Sequence, residues 1–380
     1  MKCPRCLNTD ESYFYKGSKG WYCRKCISFK RVMIEESMKE EKLAGIRDDA
    51  DTYILKYPLT EKQMDICVRC IEALQTSDCL ITAVCGAGKT EIMVGVIGWY
   101  LKRKKKVCFA IARRQVVLEV ADRLQSYFRQ ASVVAVCGGH TAVTDGDLIV
   151  CTTHQLYRYS YAFDLLILDE PDAFPFKGDD VLHGIAETSV KGRKVYLTAT
   201  PDEILQKRVK EGSLLELKLN QRPHGKPVPV PEIIISFSFL LPLILLYWLK
   251  KHQNHPCIVF VPSIQLASLL CSFIRFFFCC TYVTSKEEDR DERIENFRRK
   301  DRGVIVATTV LERGVTIPDA DVCVYYADSS SFDKAALIQM AGRAGRNYLN
   351  PYGDVLFLCK EKSDLCTQCK EEIERANAEL

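Results

Sequence analysis

Ala83-Val84-Cys85-Gly86-Ala87-Gly88-Lys89-Thr90 stands directly behind an apolar run, Cys79 to Thr82, with the character of a buried strand. An apolar strand that breaks into a glycine-rich turn and then a Lys-Thr pair is the sequence form of a phosphate-binding loop. Gly86, Ala87 and Gly88 keep bulk away from the loop N–H groups that face phosphate oxygens. Lys89 can reach the β- and γ-phosphates, and Thr90 opens a helix with a hydroxyl placed for Mg²⁺. Ala83 departs from the usual pattern, which begins with glycine. Further along, Leu165-Leu166-Ile167-Leu168 runs into Asp169-Glu170-Pro171-Asp172. A carboxylate at the end of a buried strand can hold that Mg²⁺, which assigns Asp169, and Glu170 beside it can act as general base for an attacking water. Two phosphate-site motifs in this order predict nucleoside-triphosphate binding and hydrolysis.

Around these motifs short apolar runs alternate with helical patterns. The runs are Cys79–Val84, Val107–Ile111, Val133–Val136, Leu148–Cys151, Leu165–Leu168 and Val195–Leu197. Arg222 to Pro231 then places four prolines in ten residues, which neither a helix nor a central strand can absorb, so this stretch reads as a linker. The alternation resumes at Ile258–Val261, Tyr282–Thr284, Val304–Ala307, Val322–Tyr325 and Val355–Leu358. The predicted fold class is α/β: two parallel-sheet domains in tandem behind a small N-terminal module. The expected parts are residues 1–33 (module), 34–58 (a charged, partly helical connector), 59–221 (nucleotide-binding domain), 222–231 (linker) and 232–380 (second domain).

The chain has 380 residues, 47% of them hydrophobic, enough for a core in each part. Ile233 to Leu249 is the one stretch suggestive of a membrane span. It is short and interrupted by Pro242, and it parses better as a strand, Ile233–Phe239, and a helix, Leu240–Lys251. The residues after Met1 carry no apolar signal-peptide core, so the nineteen cysteines read as reduced and the compartment as cytoplasmic. Cys67/Cys70 and Cys366/Cys369 read as ordinary thiols, and the basic run Lys102–Lys106 as a solvated cap on the helix before it.

Cys3-x-x-Cys6 and Cys23-x-x-Cys26 have the spacing of a closed, structural Zn²⁺ site with four thiolates. Residues 1–33 also carry eight Lys/Arg against Asp10 and Glu11, interleaved with Tyr13, Phe14, Tyr15, Trp21, Tyr22 and Phe29. Bases beside aromatics suit single-stranded nucleic acid, through phosphate neutralisation and stacking. The alternative is that the aromatics only cover the zinc knuckle.

The second domain has no phosphate loop. It carries Gln339-Met340-Ala341-Gly342-Arg343-Ala344-Gly345-Arg346, in which Arg343 and Arg346 fall on one face of a helical turn and could serve as arginine fingers toward a γ-phosphate. The series of motifs resembles superfamily 2 helicases, whose two domains are RecA-like. The resemblance implies that Gln63 reads adenine, and that Arg113, Arg114, Thr152, Thr153, His154, Thr308 and Thr309 touch the nucleic acid. It further implies that Gly314 touches nucleotide, and that Thr198, Thr200 and Gln339 couple hydrolysis to domain movement. Thr316 stands where many members have aspartate, and Pro171 departs from a strict DEAD box.

With the four-cysteine module in front, and with Asp169–Phe176 and Glu312–Thr316 as they stand, the chain closely resembles the ComFA family of Gram-positive late-competence ATPases. That resemblance implies a cytoplasmic motor on incoming single-stranded DNA, peripheral at the inner face of the membrane. The implied partners are a ComFC-type protein and the membrane DNA-uptake channel, with homo-oligomerisation compatible. Rival readings are a PriA-like replication-restart helicase, an RNA helicase, and an ATP-gated DNA-binding adaptor that does not translocate.

Overall fold

The computed structural model describes residues 1–287, 289–311, 317–347 and 351–378. The chain forms two compact units, Met1–Ala83 with Gly88–Leu219, and Val84–Ala87 with Asn220–Leu380. The first opens with an antiparallel hairpin, β1 (Phe14–Gly17) and β2 (Gly20–Cys23). Its main sheet holds β3 (Asp78–Ala83), β4 (Val107–Ile111), β5 (Val133–Val136), β6 (Leu148–Thr152), β7 (Phe163–Asp169), β8 (Val190–Thr198) and β9 (Leu214–Leu219). Their order is β5-β6-β4-β7-β8-β3-β9, and every pairing is parallel. The helices of this unit are α1 (Glu61–Ala73), α2 (Lys89–Leu101), α3 (Arg114–Tyr127), α4 (Asp180–Ser189) and α5 (Glu203–Lys210), with a 3₁₀ segment at Thr153–Arg158.

The second unit is a six-stranded parallel sheet of β10 (Glu232–Ile235), β11 (Pro256–Phe260), β12 (Cys280–Val283), β13 (Gly303–Ala307), β14 (Asp321–Tyr325) and β15 (Val355–Cys359). The order is β10-β15-β14-β11-β13-β12. Its helices are α6 (Leu241–Lys251), α7 (Ile264–Ile274), α8 (Arg290–Arg298), α9 (Lys334–Ala341) and α10 (Asp364–Ala378). The strand sequences are almost wholly apolar because both faces of the sheet are covered. Ile258, Phe260, Ile305, Val322, Val324 and Phe357 point to one layer, packed on Leu337, Met340 and Ile373. Cys257, Val259, Val304, Val306, Cys323 and Leu356 point to the other, under Leu245, Trp248 and Leu270. The thiols of Cys67, Cys70, Cys366 and Cys369 are buried and unbridged, as ordinary core cysteines are.

Two expectations are corrected and one is extended. Residues 34–58 contain no helix. Their backbone and charges pair with the first unit instead: Glu41 N–H donates to the Ser160 carbonyl (2.8 Å), Ala44 N–H to Asp145 (2.6 Å) and Arg47 to Asp147 through its amide (3.0 Å) and guanidinium (2.8 Å). The basic run after α2 is exposed from Lys102 to Lys105, and Arg103 donates to the Trp99 carbonyl (3.0 Å) as a solvated cap would, but the run also joins this tether. Lys104 binds the Arg47 carbonyl (2.9 Å) and the Asp48 carboxylate (2.6 Å), and Lys106 binds Asp145 (3.0 Å). The expected strand Ile233–Phe239 stops at Ile235, since the chain turns at Phe237, whose carbonyl accepts from Leu240 N–H.

Candidate functional site

In the first unit β3 delivers the phosphate loop. Gly86 (φ +83°) and Gly88 (φ +81°) both adopt left-handed backbone, which a side chain would strain, and Gly88 caps α2 so that Lys89 and Thr90 form its first turn. Gln63 sits against this loop: a Cβ on Gly88 would overlap its Nε2. Its Oε1 accepts from Thr60 N–H (2.9 Å), while Thr60 Oγ1 accepts from Gln63 N–H (3.3 Å), a reciprocal capping box that fixes the start of α1 and the glutamine rotamer.

Asp169 closes β7, and Glu170 follows at φ +52°, a left-handed position uncommon for a side-chain-bearing residue. Its N–H is held by the Leu197 carbonyl at 2.8 Å. Asp172, nearly buried, accepts from Thr198 Oγ1 (2.5 Å) and Thr200 Oγ1 (2.8 Å). One carboxylate thus ties the acidic turn to the Thr-Ala-Thr segment at the end of β8.

Of the residues expected to touch nucleic acid, Arg113 caps α3 and Arg114 begins it, donating to the Gly138 carbonyl at 2.7 Å. Thr152 ends β6, Thr153 is buried, and His154 is exposed beside them. In the second unit Thr308 follows β13 and Thr309 starts a short 3₁₀ turn. Gln339 is buried in α9, and Arg343 and Arg346 follow its end. Gly314 lies outside the described residues.

A residue that sequence reasoning missed organises this helix end. Arg222, at 2% exposure, donates to the carbonyls of Ala344 (2.9 Å), Gly345 (2.8 Å) and Gly342 (3.1 Å). Gly342 also accepts from Arg346 Nε at 2.8 Å. Burial, then the charge of Arg346, lowers the Arg222 pKa to about 10, so it stays protonated at neutral pH. The sequence carried no signal for it, since an arginine entering a Pro-rich stretch reads as solvated.

At the N-terminus the four cysteine sulfurs are buried and lie within 4.8 Å of one another. Cys3 and Cys26 Sγ are 3.7 Å apart, and Cys6 and Cys23 Sγ 3.8 Å. Thiolates about 2.3 Å from a tetrahedral Zn²⁺ would stand about 3.8 Å apart, so the donor set fits that ion. Hydrogen bonding from the Cys26 and Cys6 thiols holds Cys3 well below the ordinary thiol range. The aromatics divide. Phe14 and Tyr22 are buried, whereas Tyr15 faces Arg24 (5.5 Å), Tyr13 faces Lys25 (5.6 Å) and Arg31 covers Tyr22 (4.5 Å).

The module is docked on the first unit. A Cβ on Gly184 of α4 would overlap the Cys6 carbonyl, Thr188 Oγ1 donates to the Arg5 carbonyl (2.8 Å), and Lys25 pairs with Asp180 (3.3 Å). Phe29 reaches the expected nucleic-acid face, with its ring 6.1 Å from that of His154 and 5.5 Å from that of Tyr157.

Residues 56–203 match the family model described as type III restriction enzyme, res subunit, and residues 237–348 match the helicase conserved C-terminal domain. The competence protein ComFA of Bacillus subtilis is 34% identical over 99% of this chain and 85% of its own length. The chain belongs to the ComFA family. The ComFA protein of Streptococcus pneumoniae agrees, at 33% identity over 99% of this chain and 90% of its own length. A solved structure of Mss116p bound to single-stranded RNA and AMP-PNP superposes with a TM-score of 0.67 over 85% of this chain and 73% of that one. Its 19% identity carries the fold alone: two RecA-like domains. The chain is therefore a competence-associated ATPase of helicase superfamily 2. No described helix is long and apolar enough to cross a membrane.

Proposed function

We propose that this protein is an ATP-driven motor that translocates single-stranded DNA during uptake of transforming DNA. The observation that carries the reading is the bridge from Asp172 to Thr198 and Thr200, which gives a change at the acidic turn a direct mechanical route into the Thr-Ala-Thr segment. Lys89 and the loop amides hold the phosphates, with Gly314 a further nucleotide contact, and Gln63 reads adenine. Thr90 and Asp169 would hold Mg²⁺, which would neutralise phosphate charge. Glu170 orients and deprotonates the attacking water, and Arg343 and Arg346 stabilise the charge that develops on the γ-phosphate. Arg113, Arg114, Thr152, Thr153, His154, Thr308 and Thr309 line the strand's path, and Gln339 joins Thr198 and Thr200 in coupling.

In this reading residues 1–33 form a Zn²⁺ module, 59–221 and 232–380 are the motor domains, and 34–58 and 222–231 join them. The protein works in the cytoplasm at the inner face of the membrane, beside a ComFC-type partner and the uptake channel, alone or as a homo-oligomer. Glu170→Gln should retain ATP and lose hydrolysis by about a hundredfold or more, while Lys89→Ala should lose productive ATP binding. Undiminished turnover in Glu170→Gln overturns the assignment of the base. Displacement of streptavidin from biotinylated single-stranded DNA separates a motor from a static clamp, and stimulation by DNA against RNA oligonucleotides separates it from an RNA helicase.

A further inference from the structure

Between the cysteine module, the tether and the 3₁₀ segment of the first unit lies an open cavity of about 310 Å³. Three cations line it, Arg5 and Lys30 from the module and Arg158 from the segment, against one carboxylate, Glu41. Tyr157 and Tyr159 form apolar wall, and the Tyr159 hydroxyl is engaged with the Thr144 carbonyl at 2.8 Å. Such an imbalance of charge around one concave site favours an anion.

The cations are placed rather than loose. Arg5 is only 8% exposed, and its Nη1 donates to the carbonyls of Phe29 (2.6 Å) and Lys30 (2.7 Å), while its Nε finds no acceptor among the described residues. Those two bonds hold Lys30 at φ 74° and ψ 158°, a conformation that glycine favours and that strains any other residue. Arg158 is steered by Gln155 Oε1 (2.5 Å) and lies over the Tyr157 ring at 5.1 Å. Tyr157 is in turn in contact with Phe29, whose ring neighbours His154. The cavity therefore continues the face on which His154 lies.

We infer that this cavity binds a backbone phosphodiester of the single strand, with Lys30 and Arg158 contacting the phosphate and Arg5 holding Lys30 in position. Glu41 on the rim admits one phosphate and repels a second. The inference rests on the motor reading for its ligand: a strand that passes His154 next meets this cavity. It also gives the module a specific task, to extend the track by one nucleotide step.

The test uses the full-length, zinc-loaded chain with Lys30→Glu and Arg158→Glu combined, and separately with both residues changed to Gln. Neither position is buried or part of the nucleotide site, and zinc content and basal ATP hydrolysis should stay at wild-type levels. Affinity for a fluorescent oligothymidylate is followed against KCl concentration. The cavity neutralises one phosphate, so losing that contact in the Gln pair should flatten the slope of log affinity against log salt by about 0.7. The Glu pair should weaken binding about tenfold or more at low salt by the same electrostatics. A wild-type chain that binds the oligonucleotide, with variants of unchanged slope, overturns the cavity assignment and leaves the motor reading standing. A wild-type chain that ignores the oligonucleotide overturns both. Inorganic phosphate titrated alone, followed by Trp21 fluorescence, should bind far more weakly than the oligonucleotide. Tight binding of phosphate alone that the Glu pair abolishes would assign the cavity to a free anion and overturn the strand contact.

Discussion

Gly184→Ala is the sharpest probe of how the cysteine module is mounted, because two effects of opposite sign compete there. Gly184 lies inside α4, where alanine is intrinsically better than glycine by about 1 kcal/mol. An added Cβ, however, would overlap the Cys6 carbonyl and lie 2.8 Å from the Cys6 Cα. These are backbone atoms of a knuckle pinned by two cysteines, so no side chain can rotate away, and the module must shift by about 1 Å to restore ordinary contact. Overpacking of this kind costs about 1–3 kcal/mol. The shift also stretches the bond from Thr188 to the Arg5 carbonyl, worth about 1 kcal/mol. The exposed pair Lys25–Asp180 adds nothing decisive. The balance is a net loss of about 1–3 kcal/mol, or a few degrees in the melting of the first unit. Thermal unfolding of the zinc-loaded chain and protease cleavage within residues 34–58 read it together, and cleavage should accelerate. A variant that melts higher than wild type, with unchanged cleavage, would show that α4 and the knuckle are not in contact.

Arg222→Ala removes the donor to three carbonyls beyond α9 and should cost about 3 kcal/mol or more in urea unfolding, with Arg222→Lys intermediate. Changing Cys23 and Cys26 together to Ser should abolish zinc, expected at one ion per chain, and weaken DNA binding while basal hydrolysis largely survives. Burial would raise the Asp147 carboxyl, but the Ser132 amide and the Arg47 amide and guanidinium outweigh it and hold its pKa below the usual range. A depressed folded value stabilises fully above the unfolded pKa, about 3.9, and that contribution is lost as pH falls through the folded value. Protection of the Arg47 and Ser132 amides, relative to their intrinsic exchange rates, should therefore be high at pH 6 and be lost as pH falls below the ordinary carboxylate range, and Asp147→Asn should lack that protection already at pH 6.

Where local chemistry dictated geometry, the sequence was legible. The buried strand β4 and the edge strand β5 fall where their apolar runs predict, and the Gly86 and Gly88 turns follow from the need for left-handed backbone. Polar surfaces hid the rest. Only Val195–Leu197 of β8 was visible, because Lys191, Gly192, Arg193 and Lys194 mask its first half. The edge strand β9, Leu-Leu-Glu-Leu-Lys-Leu, is buried on one face and escaped for that reason. The tether looked helical from its charge pattern, but its partners lie in distant sequence. Asp172 read as one more residue of an acidic turn, and only tertiary structure reveals the two threonines it joins.

The docking of the module through Cys6, Arg5 and Phe29 has a consequence for binding economy. A zinc knuckle on a loose tether would forfeit conformational freedom each time it closed on a ligand. One already seated on α4 has spent that entropy during folding, so in the proposed motor its cations would meet the strand preorganised and at high effective concentration relative to His154. Residues 1–33 supplied as a separate peptide would carry the same charge and the same four cysteines, yet should not substitute for the covalent, seated copy.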